Sequence, residues 1–187
     1  MRIALGLEYC GAGFHGWQSQ PQGNTVQDVL EVALAQIAGE SLGVICAGRT
    51  DAGVHATQQV VHFDTCIERP LSAWVRGVNS HLPSGVAVRW AQPVSDDFHA
   101  RFSARGRRYR YLLVNRGQRP GLWQGRVGWF HLPLDIELMQ SAAQRLVGEH
   151  DFSAFRAANC QAKTPVKNLS RAEISIRGNL IVFDFEA

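Results

Sequence analysis

The chain has 187 residues and carries 19 Lys and Arg against 16 Asp and Glu, which gives a formal net charge of +3. This length is too short for two full domains but can bury a core in two small, closely packed units. No run of about 18 apolar residues occurs, and the N-terminus lacks the apolar stretch and cleavage site of a signal peptide, so we expect a cytoplasmic protein with no membrane segment. The cysteines argue against a zinc site or a disulfide framework, because they lie far apart without a Cys-x-x-Cys pair, at Cys10, Cys46, Cys66 and Cys160.

Hydrophobic periodicity predicts six elements in the first half of the chain. They are a strand, a helix, two strands, a helix and a strand, at residues 2–8, 25–38, 43–47, 58–64, from 70 onwards and 86–90. Thr25 and Asp28 resemble a capping box and Gly39 stands at the C-cap position of the first helix. This order is that of a split βαβ, or ferredoxin-like, unit, in which an antiparallel sheet carries helices on one face and leaves the other face open.

The loop after the first strand, residues 9–21, is rich in glycine and aromatic residues. One interpretation is a turn whose rings pack inward. The other is a flexible RNA-contacting loop in which Phe14 and Trp17 stack on bases. The composition of the loop fits both.

The second half of the chain shows a strand at 107–115, a helix at 134–147 ended by Gly148, and strands at 172–177 and 180–185. Gly178-Asn179 between the last two strands is typical of a two-residue hairpin. We therefore predict an α+β fold of tandem ferredoxin-like units, at 1–95 and 96–187. The second unit is expected to lack its last helix and strand, which predicts a C-terminally incomplete chain or one completed by a partner.

Arginine is concentrated around the predicted strand 107–115. Between residues 101 and 126 there is no Asp or Glu, and eight arginines occur, at 101, 105, 107, 108, 110, 116, 119 and 126. Such a block can be a solvated face. Guanidinium groups bind phosphate bidentately and stack on bases, so an arginine stripe interleaved with Tyr109 and Tyr111 favours RNA as the partner.

The loop between the strands at 43–47 and 58–64 places Asp51 between two glycines, Gly48 and Gly53. An aspartate in such a loop commonly stabilises the turn. The glycines also allow a bulky substrate to approach Asp51 closely, which favours a catalytic carboxylate. His55 suggests an acid–base pair, but no further residue follows at metal-site spacing, so no metal site is predicted.

The nine residues Ala47 to His55 resemble the catalytic signature of the TruA-type tRNA pseudouridine synthases. The resemblance extends to the loop after the first strand and to residues 98–111 and 151–156, so it covers nearly the whole chain. It implies isomerisation of uridine to pseudouridine at positions 38, 39 and 40 of the tRNA anticodon stem-loop, by a homodimer without a cofactor. Family members carry a basic partner of the catalytic aspartate in a further segment, and no residue here matches it.

The resemblance also implies roles for individual residues. Asp51 is expected to be the nucleophile, and Tyr109 to stack on the flipped uracil or act as general base. Arg49 is expected to hold a phosphate or fill the vacated stack. Further substrate-binding residues are expected at Arg101, Arg107, Arg108, Arg110, Phe14 and Trp17, while His55, His99 and Phe102 at most line the site.

Two other functions fit the same features. A non-catalytic tRNA-binding module would use the arginine stripe and aromatic loop, and would bind tRNA equally well with Asp51→Asn. An acid–base RNA hydrolase using Asp51 and His55 would shorten RNA, whereas isomerisation leaves the length and mass of the RNA unchanged.

Overall fold

The computed structural model describes residues 1–156 and 164–187, and Cys160 lies outside these ranges. The chain forms two compact units, 1–104 and 105–187, whereas the sequence placed the boundary after residue 95. Residues 96–104 belong with the first unit because Arg2 Nη1 donates hydrogen bonds to the carbonyls of Asp96 and Phe98, at 2.6 and 2.8 Å. No helix in the described ranges is long and apolar enough to cross a membrane.

The first unit contains a four-stranded sheet in the order β2-β3-β1-β4 with every neighbouring pair antiparallel. Its elements are β1 (Arg2–Tyr9), α1 (Val26–Ala38), β2 (Ile45–Cys46), β3 (Ala56–Asp64), a π-helical turn (Ala73–Gly77) that continues into α2 (Val78–His81), and β4 (Val86–Val94). The predicted order of strand, helix, strand, strand, helix, strand is therefore present. Segregated helices and mainly antiparallel strands define an α+β protein, as predicted.

Helix α1 begins and ends at the residues that the sequence marked. Thr25 caps the N-terminus by accepting a hydrogen bond from the Asp28 N–H, and its hydroxyl donates to the Asp28 carboxylate at 2.6 Å. Gly39 closes the C-terminus in the left-handed conformation, with φ of 79°. The apolar stripe of the helix is fully buried against alternate residues of β1, and together they form the core: Val26, Leu30, Ala33, Leu34, Ile3, Leu5, Leu7 and Tyr9.

Two predicted details of this unit are wrong. The segment 43–47 was expected to be a strand throughout, but strand β2 contains only Ile45 and Cys46, and the Ile45 side chain is exposed because β2 lies at the edge of the sheet. Helical spacing from residue 70 onwards predicts that Leu71 shares a buried face with Trp74 and Val78, but Leu71 is exposed, whereas Trp74 and Val78 are fully buried.

The second face of this sheet was expected to be open to RNA, and the structure shows it partly covered. His62 on β3 is buried, and its Nδ1 accepts a hydrogen bond from the Ala100 N–H at 3.1 Å. The Phe98 and His99 rings lie edge-on to the His62 ring, with centroids 6.0 and 4.9 Å away. Residues 98–103 thus close over His62 and shield part of the face.

The second unit has a four-stranded sheet in the order β6-β5-β10-β9 and a separate two-stranded pair, β7 and β8. Its elements are β5 (Arg108–Asn115), β6 (Gly128–Phe130), α3 (Ile136–Gln144), β7 (Gly148–Asp151), β8 (Val166–Leu169), β9 (Arg171–Arg177) and β10 (Leu180–Glu186). The three predicted strands and the helix are present, but β6, β7 and β8 were not predicted. Helix α3 starts after the N-cap Asp135 and ends at Gln144, so Gly148 begins β7 and does not end the helix. A tandem ferredoxin-like arrangement stays a prediction.

We predict that Leu34→Ala lowers the free energy of unfolding by about 2–5 kcal/mol, because it leaves a cavity in the core between α1 and the sheet. Val32→Ala on the same helix is the control, since Val32 is 62% exposed and should change stability by about 0.5 kcal/mol or less. Urea titration followed by far-UV circular dichroism measures both. Equal midpoints for the two variants would contradict the assigned core.

Candidate functional site

Asp51 lies at the start of a tight turn in the connection between β2 and β3. The Val54 N–H donates to the Asp51 carbonyl at 3.1 Å, and Gly53 has φ of 80° at the third position of the turn, a conformation that favours glycine. The Asp51 side chain is exposed, and no residue in the described part of the chain forms a hydrogen bond or ion pair with its carboxylate. The geometry therefore does not show the carboxylate stabilising the turn.

The glycine-rich loop, defined as residues 11–17, packs against this turn backbone to backbone. The Trp17 N–H donates to the Thr50 carbonyl at 2.9 Å, and the Gly53 N–H donates to the Phe14 carbonyl at 3.4 Å. A Cβ atom on Gly16 would lie 2.8 Å from the Thr50 oxygen, and one on Gly11 would lie 2.0 Å from the Val54 oxygen. Gly11 and Gly16 are thus required by contact with the Asp51 turn.

Side chains beneath the turn form a polar network that the sequence did not indicate. The Tyr9 hydroxyl lies 2.8 Å from Thr50 Oγ1, and Gln59 Nε2 donates to the Gly48 carbonyl at 2.5 Å. Burial raises the pKa of Tyr9, and hydrogen bonds with Thr50 and Gln59 only partly offset this effect, so the phenol is neutral at physiological pH. Gln59 and Tyr9 are buried, and both hold the loop in place.

His55 contributes to the same support. Its Nδ1 accepts a hydrogen bond from the Gly11 N–H at 3.1 Å, which ties the start of the glycine-rich loop to the end of the Asp51 turn. This contact gives His55 a positioning role. That role is compatible with the prediction that His55 at most lines the site.

The aromatic residues of the glycine-rich loop do not form the predicted stacking surface. Trp17 is 1% exposed, and its ring packs on Tyr9 with a centroid distance of 5.9 Å. Phe14 is half-buried and contacts the same core. The assignment of Trp17 to substrate binding is therefore corrected, because a base cannot reach a ring enclosed in the core, and Phe14 offers only part of its ring.

Residues 98–103 carry Arg101, which is exposed as a phosphate ligand requires. The Arg101 guanidinium carbon lies 5.7 Å from the centroid of the Phe102 ring. The Phe102 ring stacks in turn on His99, with centroids 4.3 Å apart and planes inclined by 29°.

In the second unit, Tyr109 lies on β5 and is 54% exposed. The strand pairs with β10 so that Arg110 stands opposite Asp184 and Arg108 opposite Glu186. Arg107 and Arg108 are exposed, and the Arg107 backbone exchanges two hydrogen bonds with Ala187.

Arg110 pairs with Asp184, and its assignment to substrate binding stays a prediction. Arg110 Nε and Nη2 donate to the two oxygens of the buried Asp184 carboxylate, at 2.8 and 2.9 Å. This bidentate bond from Arg110 holds the pKa of Asp184 below its usual value, although burial opposes the shift. Asp184 accepts from two of the five guanidinium N–H groups, and the Arg110 side chain is 45% exposed, so the remaining N–H groups can still bind a phosphate.

Cys10, Cys46 and Cys66 are free thiols. Burial raises the pKa of the Cys46 thiol, which favours its protonated form. Within residues 1–156 and 164–187, no group of three His, Cys, Asp or Glu side chains has a geometry that could hold a metal ion.

Comparison with known proteins places the chain in a family. A family model described as tRNA pseudouridine synthase matches residues 7–103 and 142–187. Proteins named tRNA pseudouridine synthase A from Dechloromonas aromatica (strain RCB) and Thiobacillus denitrificans (strain ATCC 25259 / T1) are 76% and 63% identical over the whole chain, which spans 71% and 72% of their lengths. The chain belongs to the tRNA pseudouridine synthase family, which confirms the resemblance seen in residues 47–55.

We predict that Gly11→Ala displaces the Asp51 turn, since the added Cβ would lie 2.0 Å from the Val54 carbonyl oxygen. Gly13→Ala is the matched control in the same loop, because nothing lies within 4 Å of its Cβ position. We expect Gly11→Ala to lower thermal stability and any activity that depends on Asp51, and Gly13→Ala to retain both. Differential scanning fluorimetry and the pseudouridine assay described below measure them, and identical behaviour of the two variants would refute the close contact.

We predict that His62 makes stability depend on pH. Burial, with help from the charge of Arg2 and from His99, lowers the pKa of His62, while Asp64 opposes the shift. The unfolded chain therefore binds a proton at His62 near pH 6.5 while the folded chain does not, and the free energy of unfolding falls as the pH drops below about 6.5.

His62→Asn tests this dependence, because Asn Oδ1 can accept the Ala100 N–H bond in place of Nδ1 but does not titrate. We expect urea midpoints at pH 7.5 and 5.5 to differ less in this variant than in the wild type. His81→Asn, at an exposed histidine, is the control and should keep the wild-type difference. An unchanged difference in His62→Asn would refute the prediction.

Proposed function

We propose that this protein isomerises uridine to pseudouridine in tRNA, at positions 38, 39 and 40 of the anticodon stem-loop. The observation that carries the proposal is the exposed Asp51 carboxylate, which has no partner among residues 1–156 and 164–187, in a turn that the glycine-rich loop fixes. That turn lies inside the stretch 7–103, which matches the tRNA pseudouridine synthase family. The target positions are those implied by the resemblance of residues 47–55 to the TruA-type signature.

The reaction breaks the bond between C1′ and N1, rotates the uracil, joins C5 to C1′ and removes the C5 proton, while N1 gains a proton. Substrate and product are isomers, so the balance requires no oxidant, reductant or cofactor. Asp51 starts the reaction by attack on C1′ or C6, or by removing the C2′ proton, and each route needs an ionised carboxylate open to the nucleotide. The exposed position of Asp51 meets that requirement.

The target base is stacked in the RNA and must be flipped out, at a cost of about a few kcal/mol that contacts with the protein offset. Arg49, exposed and two residues from Asp51, holds a phosphate or fills the vacated stack. Arg101, in the segment 98–103, binds an RNA phosphate. The exposed part of Phe14 contacts the RNA beside the glycine-rich loop.

The resemblance also gives RNA-binding roles to residues of the second unit. The half-exposed Tyr109 ring stacks on the flipped uracil, or its phenol takes the C5 proton. The exposed Arg107 and Arg108 bind the phosphate backbone. Arg110 links β5 to β10 through Asp184, and the N–H groups that Asp184 leaves open bind phosphate. We further propose that the enzyme works as a cytoplasmic homodimer, as the resemblance implies.

We predict that Asp51→Asn reduces pseudouridine formation by on the order of 10³-fold or more while tRNA binding is retained, because the variant keeps the shape of the side chain and loses the nucleophile. Asp97→Asn is the control, since it removes another exposed carboxylate of the same unit and should leave the rate unchanged. Each protein is incubated with unmodified tRNA, and pseudouridine is mapped by carbodiimide-stop primer extension.

Other outcomes identify the competing functions. Equal signals in the anticodon arm from the wild type and Asp51→Asn would overturn the role of Asp51. Binding of tRNA without product from the wild type would favour a non-catalytic module. Shortened RNA would favour a hydrolase.

A further inference from the structure

The most exposed aromatic ring of the described part of the first unit is held on a well-fixed segment. Phe102 is 77% exposed. Its segment, residues 98–103, is anchored by the bonds from Arg2 to the Asp96 and Phe98 carbonyls and by the bond from the Ala100 N–H to His62. Two further bonds link His99 and Ser103, at 2.7 and 3.0 Å. The segment therefore presents the ring in a defined position.

The groups beside Phe102 are those that bind a nucleobase. His99 stacks on the ring, and its Nδ1 accepts the Phe102 N–H at 3.3 Å, which fixes the stacked pair. The guanidinium carbon of Arg101 lies over the ring, 5.7 Å from its centroid. Aromatic rings with an adjacent arginine bind single-stranded RNA, because the ring stacks on a base while the guanidinium pairs with phosphate.

The composition of the segment favours RNA over a protein partner. Residues 98–105 carry two arginines and a histidine and no acidic residue. A protein-binding surface around an exposed ring would be expected to add further apolar side chains, since the centre of such an interface is depleted in charge. Positive charge beside a lone ring is instead complementary to a phosphate next to a base.

We propose that Phe102, stacked on His99 and flanked by Arg101, is a stacking site for one nucleobase of the RNA substrate. The proposal rests on the proposed function and extends it, since it gives Phe102 a binding role separate from the reaction at Asp51. His62 and Arg2 are positioning residues for this site.

Binding of unmodified tRNA, measured by filter binding over a range of salt concentrations, tests the proposal with Phe102→Ala, Phe102→Leu and Phe102→Tyr. We expect Phe102→Ala and Phe102→Leu to weaken binding about 5- to 150-fold and Phe102→Tyr to bind like the wild type, since only tyrosine keeps an aromatic face. The slope of log Kd against log salt should be unchanged in all three. Arg101→Ala should reduce that slope by about 1, because it removes a phosphate contact.

Three results would overturn the proposal: wild-type affinity in Phe102→Ala, wild-type affinity in Phe102→Leu, or a reduced salt slope in Phe102→Ala. Wild-type affinity in Phe102→Leu would mean that the side chain contributes only apolar surface and that its aromatic face is not needed. The third would mean that the segment has moved and taken Arg101 with it. Val32→Ala, which removes an exposed apolar side chain elsewhere in the unit, should bind like the wild type.

The binding test separates this proposal from the proposed function. Binding does not require the chemical step, so a wild type that binds tRNA and forms no pseudouridine refutes the enzyme while the Phe102 variants still test the stacking site. A wild type that does not bind tRNA refutes both.

Discussion

The contact between two stretches of backbone, residues 11–17 and 50–54, is the constraint on which the candidate site depends. Side chains larger than hydrogen at Gly11 and Gly16 would overlap the Val54 and Thr50 carbonyls. With glycine there, the N–H groups of Trp17 and Gly53 reach carbonyl acceptors across the contact. The loop that carries Asp51 is thereby fixed from one side and leaves the carboxylate in solvent.

Local signals in the sequence predicted the features that are determined locally. The caps of α1 at Thr25 and Gly39 are set by residues within a few positions of the helix ends, and both were found where the sequence placed them. The position of Asp51 between Gly48 and Gly53 likewise predicted a loop in which a substrate can approach the carboxylate. The family resemblance of residues 47–55, confirmed over most of the chain, rests on the same local string.

The contacts of Trp17 and Arg110 could not be predicted because a distant partner decides each of them. The composition of its loop predicts that Trp17 is exposed. In the structure Trp17 packs on Tyr9 and belongs to the core. Arg110 belongs to an arginine block without acids in the sequence, but its partner Asp184 is 74 positions away. The strands β6 and β8 were missed for a related reason, since three or four residues show too little alternation to indicate a strand and only the pairing with β5 or β7 defines them.

The groups that support the Asp51 loop from beneath are matched to the chemistry that the loop is proposed to perform. Gly48 and Thr50 are held by an amide, Gln59, and by the phenol of Tyr9, which its raised pKa keeps protonated. A buried cation in that position would have attracted the Asp51 carboxylate inward and stabilised it as an ion pair. Neutral donors and acceptors fix the backbone without that effect. The carboxylate therefore stays exposed, as attack on a nucleotide requires.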